Sequence, residues 1–477
     1  MTEAAVAELK HVLGPRGWLE GPDAASYERD ERGVYRGKSL LFVRPANTKE
    51  VAAVVQVCAR HGVCVVPQGG NTGLCGGSVP AGDKPSIILS LARMNRILSL
   101  DRDRFSVTVE AGCILQTIHD AAEGVNLRFG MDWGARGSAT VGGGVSTNAG
   151  GLNVLKFGTA REQVLGLEVV LADGRIWDGL RSLRKDSSGY DLKHLFIGAE
   201  GTLGIVTKVV LKLYPRPRQE ISMFLTLTDT ARLPEMYGLA RDRLSDKLTA
   251  FELLPGRFVD LAVQRNSALR KPTAAASDWY VLVRAAGEEG IGADLLAFFE
   301  AAVEQTLSED GALASSEAQE RNFWVIRDEV SPMKILGGQL WKWDAAVPID
   351  RMAEFYFATH RTAAAIHPGL QVYMYGHVGD GNWHMSVGPG PDMAAAEFES
   401  FRVRTIGAID KLIWEFGGTI SAEHGVGVEN MNRIVGQKPP VEREYMAAVR
   451  RLFDPKGLFN PGKVIDPDAA LHVEQLN

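Results

Sequence analysis

Apolar positions in this chain change period from one segment to the next. In MTEAAVAELKHVLG (1–14) and TKEVAAVVQVCARHG (48–62) they recur three and four residues apart, which predicts amphipathic helices, the second capped near Asn47 or Thr48. Short apolar runs follow a different rule. LLFV (40–43), VCVVP (63–67), SIILS (86–90) and SVTVEAG (106–112) have the length and β-branched content of strands. Glycine-dense loops then recur as far as Gly204, and the two prolines of YPRPRQ (214–219) break the periodicity. From about 220 to 415 glycine becomes scarcer. WYVLVRAAG (279–287) reads as a strand, and the segments 291–307 and 317–331 read as long helices. A short helical tail ends in LFDPKGLFNPGKV (452–464). The first region reads as α/β or α+β and the second as α+β, with domains at 1–216 and 217–420 and a C-terminal segment at 421–477.

A chain of 477 residues exceeds the size at which one core keeps growing, in keeping with two domains. Its 52 lysines and arginines nearly balance 58 aspartates and glutamates, with no long block of either sign. Nucleic acid is therefore not expected as a partner. The longest strongly apolar stretch, VAAVVQVCA (51–59), is far short of the roughly 20 residues of a membrane span. The N-terminus carries no signal-peptide or transit pattern, so the chain reads as soluble and cytoplasmic. Cys58, Cys64, Cys75 and Cys113 form no CxxC or zinc-finger spacing and read as reduced, buried side chains.

Three stretches concentrate glycine: VPQGGNTGLCGGSVP (66–80), GARGSATVGGGVSTNAGGLNVLKFG (134–158) and IGAEGTLGI (197–205). Such loops let backbone amides approach an anion, and a pyrophosphate is the natural guest. None matches GxGxxG at the end of a strand or GxxxxGK[ST]. The stretches do resemble the FAD-binding domain of the vanillyl-alcohol oxidase superfamily. That resemblance implies a two-domain fold, an FAD-binding domain followed by a substrate (cap) domain with an antiparallel sheet. It implies flavin contacts from Pro67, Gly69, Gly70, Asn71, Thr72, Gly73 and Ser78 in the first stretch. Asp132, Gly137, Ser138, Gly142, Thr147, Asn148 and Gly150 are implied around the second, with Gly201, Ile205 and, in the tail, Asn460. Members that attach the flavin covalently often carry a histidine in the first loop. Here Asn71 stands in it, so non-covalent FAD is expected.

Two histidines bracket a turn in YGHVGDGNWH. The Asp-Gly pair between VYMYGH and WHMSV is a hairpin signal, and folding the chain back lets His377 and His384 meet. SAEHGVG (421–427) offers Glu423 beside His424. Two imidazoles and a carboxylate suit a catalytic divalent metal, with zinc the leading candidate and iron, manganese or cobalt as alternatives. Glu423 and His424 can both reach one pocket only where the chain bends.

HVGDGNWH, SAEHGVG and LFDPKGLFNPGK together resemble the D-lactate, glycolate and D-2-hydroxyglutarate dehydrogenase branch of that superfamily. RKDSSGYDLKHLFIGAEGTLGI (184–205) is most similar to the D-2-hydroxyglutarate dehydrogenases. The resemblance implies His377, His384 and Glu423 as metal ligands and His424 as the base. It implies a substrate held by Arg327, Ser331, Lys342 and Ser386, and a C-terminal segment that completes the active site and returns to the FAD domain. Arg327 and Ser331, at i and i+4, are expected on one helix face. Lys342 is expected to point away from Trp341 and Trp343. Serine stands at 331 where threonine is expected, and at 386 where asparagine is expected, which keeps D-malate, D-lactate and glycolate open as substrates. The electron acceptor is not written in the chain; an electron-transfer flavoprotein or a quinone is considered, and a homodimer is the base expectation. A metal hydrolase without flavin, and a flavoprotein that only carries electrons, are the readings from other classes.

Overall fold

The computed structural model describes residues 2–337 and 340–468, so the end of the expected C-terminal segment lies outside the described residues. The chain divides into two compact units. One comprises Met1–Gly151, Phe157–Arg216 and Glu423–Asn477, the other Leu152–Lys156 and Pro217–Ala422.

In the first unit the helix Thr48–His61 starts where local chemistry dictates. The Asn47 side chain accepts from the Glu50 N–H at 3.0 Å, Glu50 reaches back to the Ala46 N–H at 2.8 Å, and Gly62 in a left-handed conformation ends the helix. Its stripe of Val51, Val54, Val55 and Cys58 enters the core. A small sheet orders its strands Trp18–Leu19, Phe42–Val43, Ser86–Ser90 and Cys64–Gln68, with the last two pairs parallel. An antiparallel sheet is built on the long strand Ile205–Pro215, flanked by Ser106–Glu110 and Val164–Val170. The tail returns as an added backbone partner. Val65 donates to the Leu458 carbonyl at 2.8 Å and Asn460 donates to the Val65 carbonyl at 2.9 Å, with Phe459 fully buried between them. Burying that ring is worth about 1.5 to 3 kcal/mol. All four cysteines are buried.

The second unit is one antiparallel sheet covered by helices. Its strand order is Gly311–Leu313, Gln219–Leu227, Trp279–Gly287, Leu248–Pro255, Leu370–His377, Asn382–Pro389 and Trp341–Ala346. The expected strand at 279–287 is present in full, and helices run over Ile291–Glu304 and Glu317–Glu329. Buried Arg284 donates to Asn153 Oδ1 at 2.7 Å, a contact between the sheet and the segment Leu152–Lys156 of the same unit. Among the described residues no helix is long and apolar enough to cross a membrane.

Candidate active site

The strand Cys64–Gln68 carries Pro67 and feeds the first glycine stretch. A Cβ on Gly70 would stand 2.0 Å from the Ser138 carbonyl oxygen, and one on Gly69 2.5 Å from Thr140 Oγ1, so only glycine lets the first stretch lie against the second. Asn71 adopts φ 55°, its Oδ1 accepts from Ser78 Oγ at 2.7 Å, and its Nδ2 donates to the Arg29 carbonyl at 2.8 Å. Thr72 is half-buried, whereas Gly73, Gly137 and Ser138 are exposed. Tight backbone, asparagine in a left-handed turn and solvent-facing glycines suit an anionic dinucleotide. Gly201 packs against Pro67, bringing the third stretch to the same strand end.

The second stretch is not a loop throughout. Val141–Thr147 is a short helix capped by Thr140, since Gly142 and Gly144 allow the backbone to press on Ala111 and Trp133. Some expected cofactor residues have their side chains occupied. Asp132 pairs with Arg136 at 3.1 Å, and Thr147 Oγ1 donates to the Gly143 carbonyl at 3.1 Å. Asn148 ends the helix and accepts from the Arg161 N–H at 2.9 Å. Gly150 is half-buried and Ile205 is buried at the start of its strand. Asn460 Nδ2 donates to the Gly77 carbonyl at 2.9 Å and the Glu200 carbonyl at 2.7 Å, tying the tail to two glycine stretches.

Sequence reasoning missed Glu200. Its carboxylate accepts from the N–H groups of Val426 at 2.6 Å and Gly427 at 2.9 Å, so it anchors the segment just after His424. Burial pushes its pKa up, and burial brings that of Lys463 down to about 8 against the pull of Glu200.

In the second unit the hairpin forms as its turn signal indicates. Leu370–His377 and Asn382–Pro389 pair from Leu370↔Pro389 to Tyr375↔His384, and the chain turns through Val378–Asp380 and Gly381. His377 and His384 meet, Nε2 to Nε2 at 3.3 Å, close to the spacing of two imidazoles on one cation. Beside them lies a carboxylate that the sequence reading missed, Glu252, from the strand Leu248–Pro255 and in register with His377. Its Oε1 is 2.7 Å from His377 Nδ1, and its Oε2 accepts from Arg327 Nε at 2.9 Å. Burial raises its pKa, but the charges of His377 and Arg327 outweigh burial and hold it down to about 2. Arg327 NH2 lies 3.0 Å from His377 Nε2, so the arginine is bound within the site rather than solvated at the surface.

Ser331 requires a correction. The helix ends at Glu329, and Ser331 is extended at the start of Pro332–Leu336, so it does not share a helix face with Arg327. A residue before proline is driven out of the helical region by its ring. Lys342 does alternate with buried Trp341 and Trp343, and it lies opposite Ser386 across the strands. On the same face, two residues along, Asp344 opposes His384, with Oδ1 3.8 Å from Nδ1. Asn382 Nδ2 donates to Asp344 at 2.8 Å. Asp344 and Glu252 left a trace in the sequence, each a lone acid within an apolar strand, WKWDAA and LTAFELLP.

The strand carrying Asp344 also receives the end of the unit. Ser421 pairs with Asp344, and the Ala422 N–H donates to its carbonyl at 2.9 Å. The chain then bends through 422–424, and Gly425 at φ 81° continues it. Glu423 Oε1 and His424 Nε2 come within 3.6 Å of each other. The required bend is present.

Comparison with known proteins places these features in a lineage. Residues 39–179 match a family of FAD binding domains, and residues 234–464 match the FAD linked oxidases, C-terminal domain. The chain is 36% identical to the mitochondrial D-2-hydroxyglutarate dehydrogenase of Arabidopsis thaliana, over 96% of this chain and 81% of that protein. It is 36% identical to the mitochondrial enzyme of Bos taurus (98% and 85%) and 34% identical to D-2-hydroxyglutarate dehydrogenase of Xanthomonas citri pv. viticola (98% and 98%). Among solved structures, p-cresol methylhydroxylase with substrate bound has the same fold, with a TM-score of 0.76 at 17% identity over 98% of this chain and 97% of that one. Alkyldihydroxyacetonephosphate synthase matches with a TM-score of 0.71 at 17% identity, over 97% of this chain and 85% of that one. With its FAD binding domain, its FAD linked oxidase domain and near full-length likeness to these dehydrogenases, the chain is an FAD-dependent oxidoreductase acting on CH–OH donors, has the two-domain α+β fold of the vanillyl-alcohol oxidase superfamily, and belongs to the D-2-hydroxyglutarate dehydrogenase family.

Proposed function

We propose that the protein oxidises D-2-hydroxyglutarate to 2-oxoglutarate. When bound, FAD supplies a hydride acceptor for the hydrogen on C2, and a divalent cation, with zinc the first choice, lowers the pKa of the substrate hydroxyl toward neutrality. His424 takes the hydroxyl proton as general base. Arg327 holds a substrate carboxylate through its guanidinium, whose Nε edge is engaged by Glu252. Lys342, with Ser331 and Ser386, holds the distal carboxylate. His377, His384 and Glu423 supply the cation ligands. Asp344 is a fourth candidate, supported by its position opposite His384 and by the strand pairing that brings residues 421 and 422 to it. Gly69–Gly73 and the second glycine stretch would hold the flavin without a covalent bond, since Asn71 offers no nucleophile. The C-terminal segment from 421 completes the site and returns Asn460 to the flavin domain. An electron-transfer flavoprotein or a quinone would serve as electron acceptor, and the working form is a homodimer.

The observation that carries this reading is the His377–Glu252–Arg327 cluster: cation-binding imidazole and carboxylate-binding guanidinium joined by one buried acid. The test is anaerobic mixing of purified protein with D-2-hydroxyglutarate, L-2-hydroxyglutarate, D-malate, D-lactate and glycolate while flavin absorbance is followed. Bleaching by D-2-hydroxyglutarate, abolished by a chelator and restored by zinc, is expected. Bleaching by D-lactate alone would remove the distal carboxylate from the reading. A colourless protein that retains metal would favour a hydrolase.

A further inference from the structure

Resting on the reading just given, we propose that Glu252 is a positioning residue that sets cation binding and substrate-carboxylate recognition together. The two oxygens of this one carboxylate are divided between the two functions. Oε1 lies 2.7 Å from His377 Nδ1 and Oε2 accepts from Arg327 Nε at 2.9 Å. Glu252 is 2% exposed and sits mid-strand, paired in register with His377, so its backbone has no freedom to follow a misplaced partner.

The consequences are chemical. A carboxylate accepts only, so His377 carries its proton on Nδ1 and keeps Nε2 as the acceptor, the atom 3.3 Å from His384 Nε2 and 3.0 Å from Arg327 NH2. The same charge fixes the Nε edge of Arg327, whose NH2 stands 3.0 Å from His377 Nε2, so one carboxylate sets the spacing of guanidinium and imidazole. No other residue type does both. Aspartate is one carbon too short to span the two partners, and the glutamine amide sets a donor against one of two donors.

The experiment measures zinc affinity by competition with a chromophoric chelator, on flavin-loaded, metal-stripped full-length protein, alongside KM and kcat for D-2-hydroxyglutarate. Glu252→Gln is expected to bind zinc 10- to 100-fold more weakly and to raise KM, with flavin content unchanged. Because Glu252 acts on the substrate through Arg327, Glu252→Gln adds nothing to the KM of Arg327→Ala but still weakens zinc binding in that background. If the single variant does not fold, the comparison of Arg327→Ala with Arg327→Ala/Glu252→Gln, in which no arginine is stranded, carries the same zinc readout. Zinc affinity within twofold of wild type, or a KM effect that adds to that of Arg327→Ala, overturns the proposal. Wild-type protein that binds no zinc defeats the metal reading of the previous subsection along with this one, whereas tight wild-type binding unchanged in Glu252→Gln defeats this one alone.

Discussion

Glu252 in the second unit and Glu200 in the first are both buried glutamates beside candidate site residues, yet their surroundings drive them in opposite directions. Glu252 has a guanidinium and an imidazole against its two oxygens, and their charges outweigh burial and hold its pKa down to about 2. Glu200 has two backbone N–H groups and the charge of Lys463, which burial overrides, so its pKa rises while that of Lys463 falls to about 8. Burial alone therefore does not say what an acid is for. A carboxylate kept charged between a guanidinium and an imidazole organises them electrostatically, whereas one that burial disfavours in its charged form serves as a hydrogen-bond anchor for backbone.

The contrast breaks first at Glu252. Glu252→Ala strands the Arg327 charge in the interior and is expected to destabilise the second unit by about 3 to 5 kcal/mol, read by urea unfolding. Arg327→Ala comes next in size. Loss of one charge-assisted interaction in the transition state is about 1.5 to 3 kcal/mol, or roughly 10- to 150-fold in kcat/KM, and an unchanged kcat/KM would remove Arg327 from substrate binding.

Acid then separates the two units. Glu252 has a folded pKa below its ordinary value of 4.5, so its stabilisation is present above that pH and lost as pH falls toward about 2. Glu200 has a raised folded pKa, so the same fall in pH relieves rather than removes stability. Tryptophan fluorescence and flavin release followed from pH 5 to 2 should therefore show the second unit yielding before Glu200 contributes any loss. At the alkaline side the sign reverses for the lysine: Lys463, at about 8 when folded against 10.5 ordinarily, binds fewer protons in the folded chain, so its contribution to stability rises between those values. The smallest effect is expected at Glu200→Gln, which keeps one acceptor for the segment after His424 and removes a disfavoured charge. It should cost about 1 kcal/mol or less. A loss there as large as that of Glu252→Ala would collapse the comparison.

Much of the architecture could be read before any coordinates, because it rests on local chemistry. The 48–61 helix follows from its apolar stripe, the Asn47 cap and the Gly62 stop, and the strand at 279–287 from a run of apolar residues too short for a helix. The meeting of His377 and His384 follows from an Asp-Gly turn and the geometry of a hairpin. Local pattern failed in two places, one through a neighbour in sequence and one through packing at a distance. Pro332 removed Ser331 from the helix of Arg327, and close packing on Ala111 and Trp133 made a helix of a stretch whose glycines suggested a loop.

The chain by itself determined its elements, its glycine cradle and its paired histidines, because turns, caps and periodicity act over a few residues. Only the tertiary structure decided that Glu252, 125 residues before His377, and Glu200, 226 residues before Val426, are the acids that hold those segments in place. A single charge in an apolar strand has no local partner, and strand pairing over long separations is what supplies one.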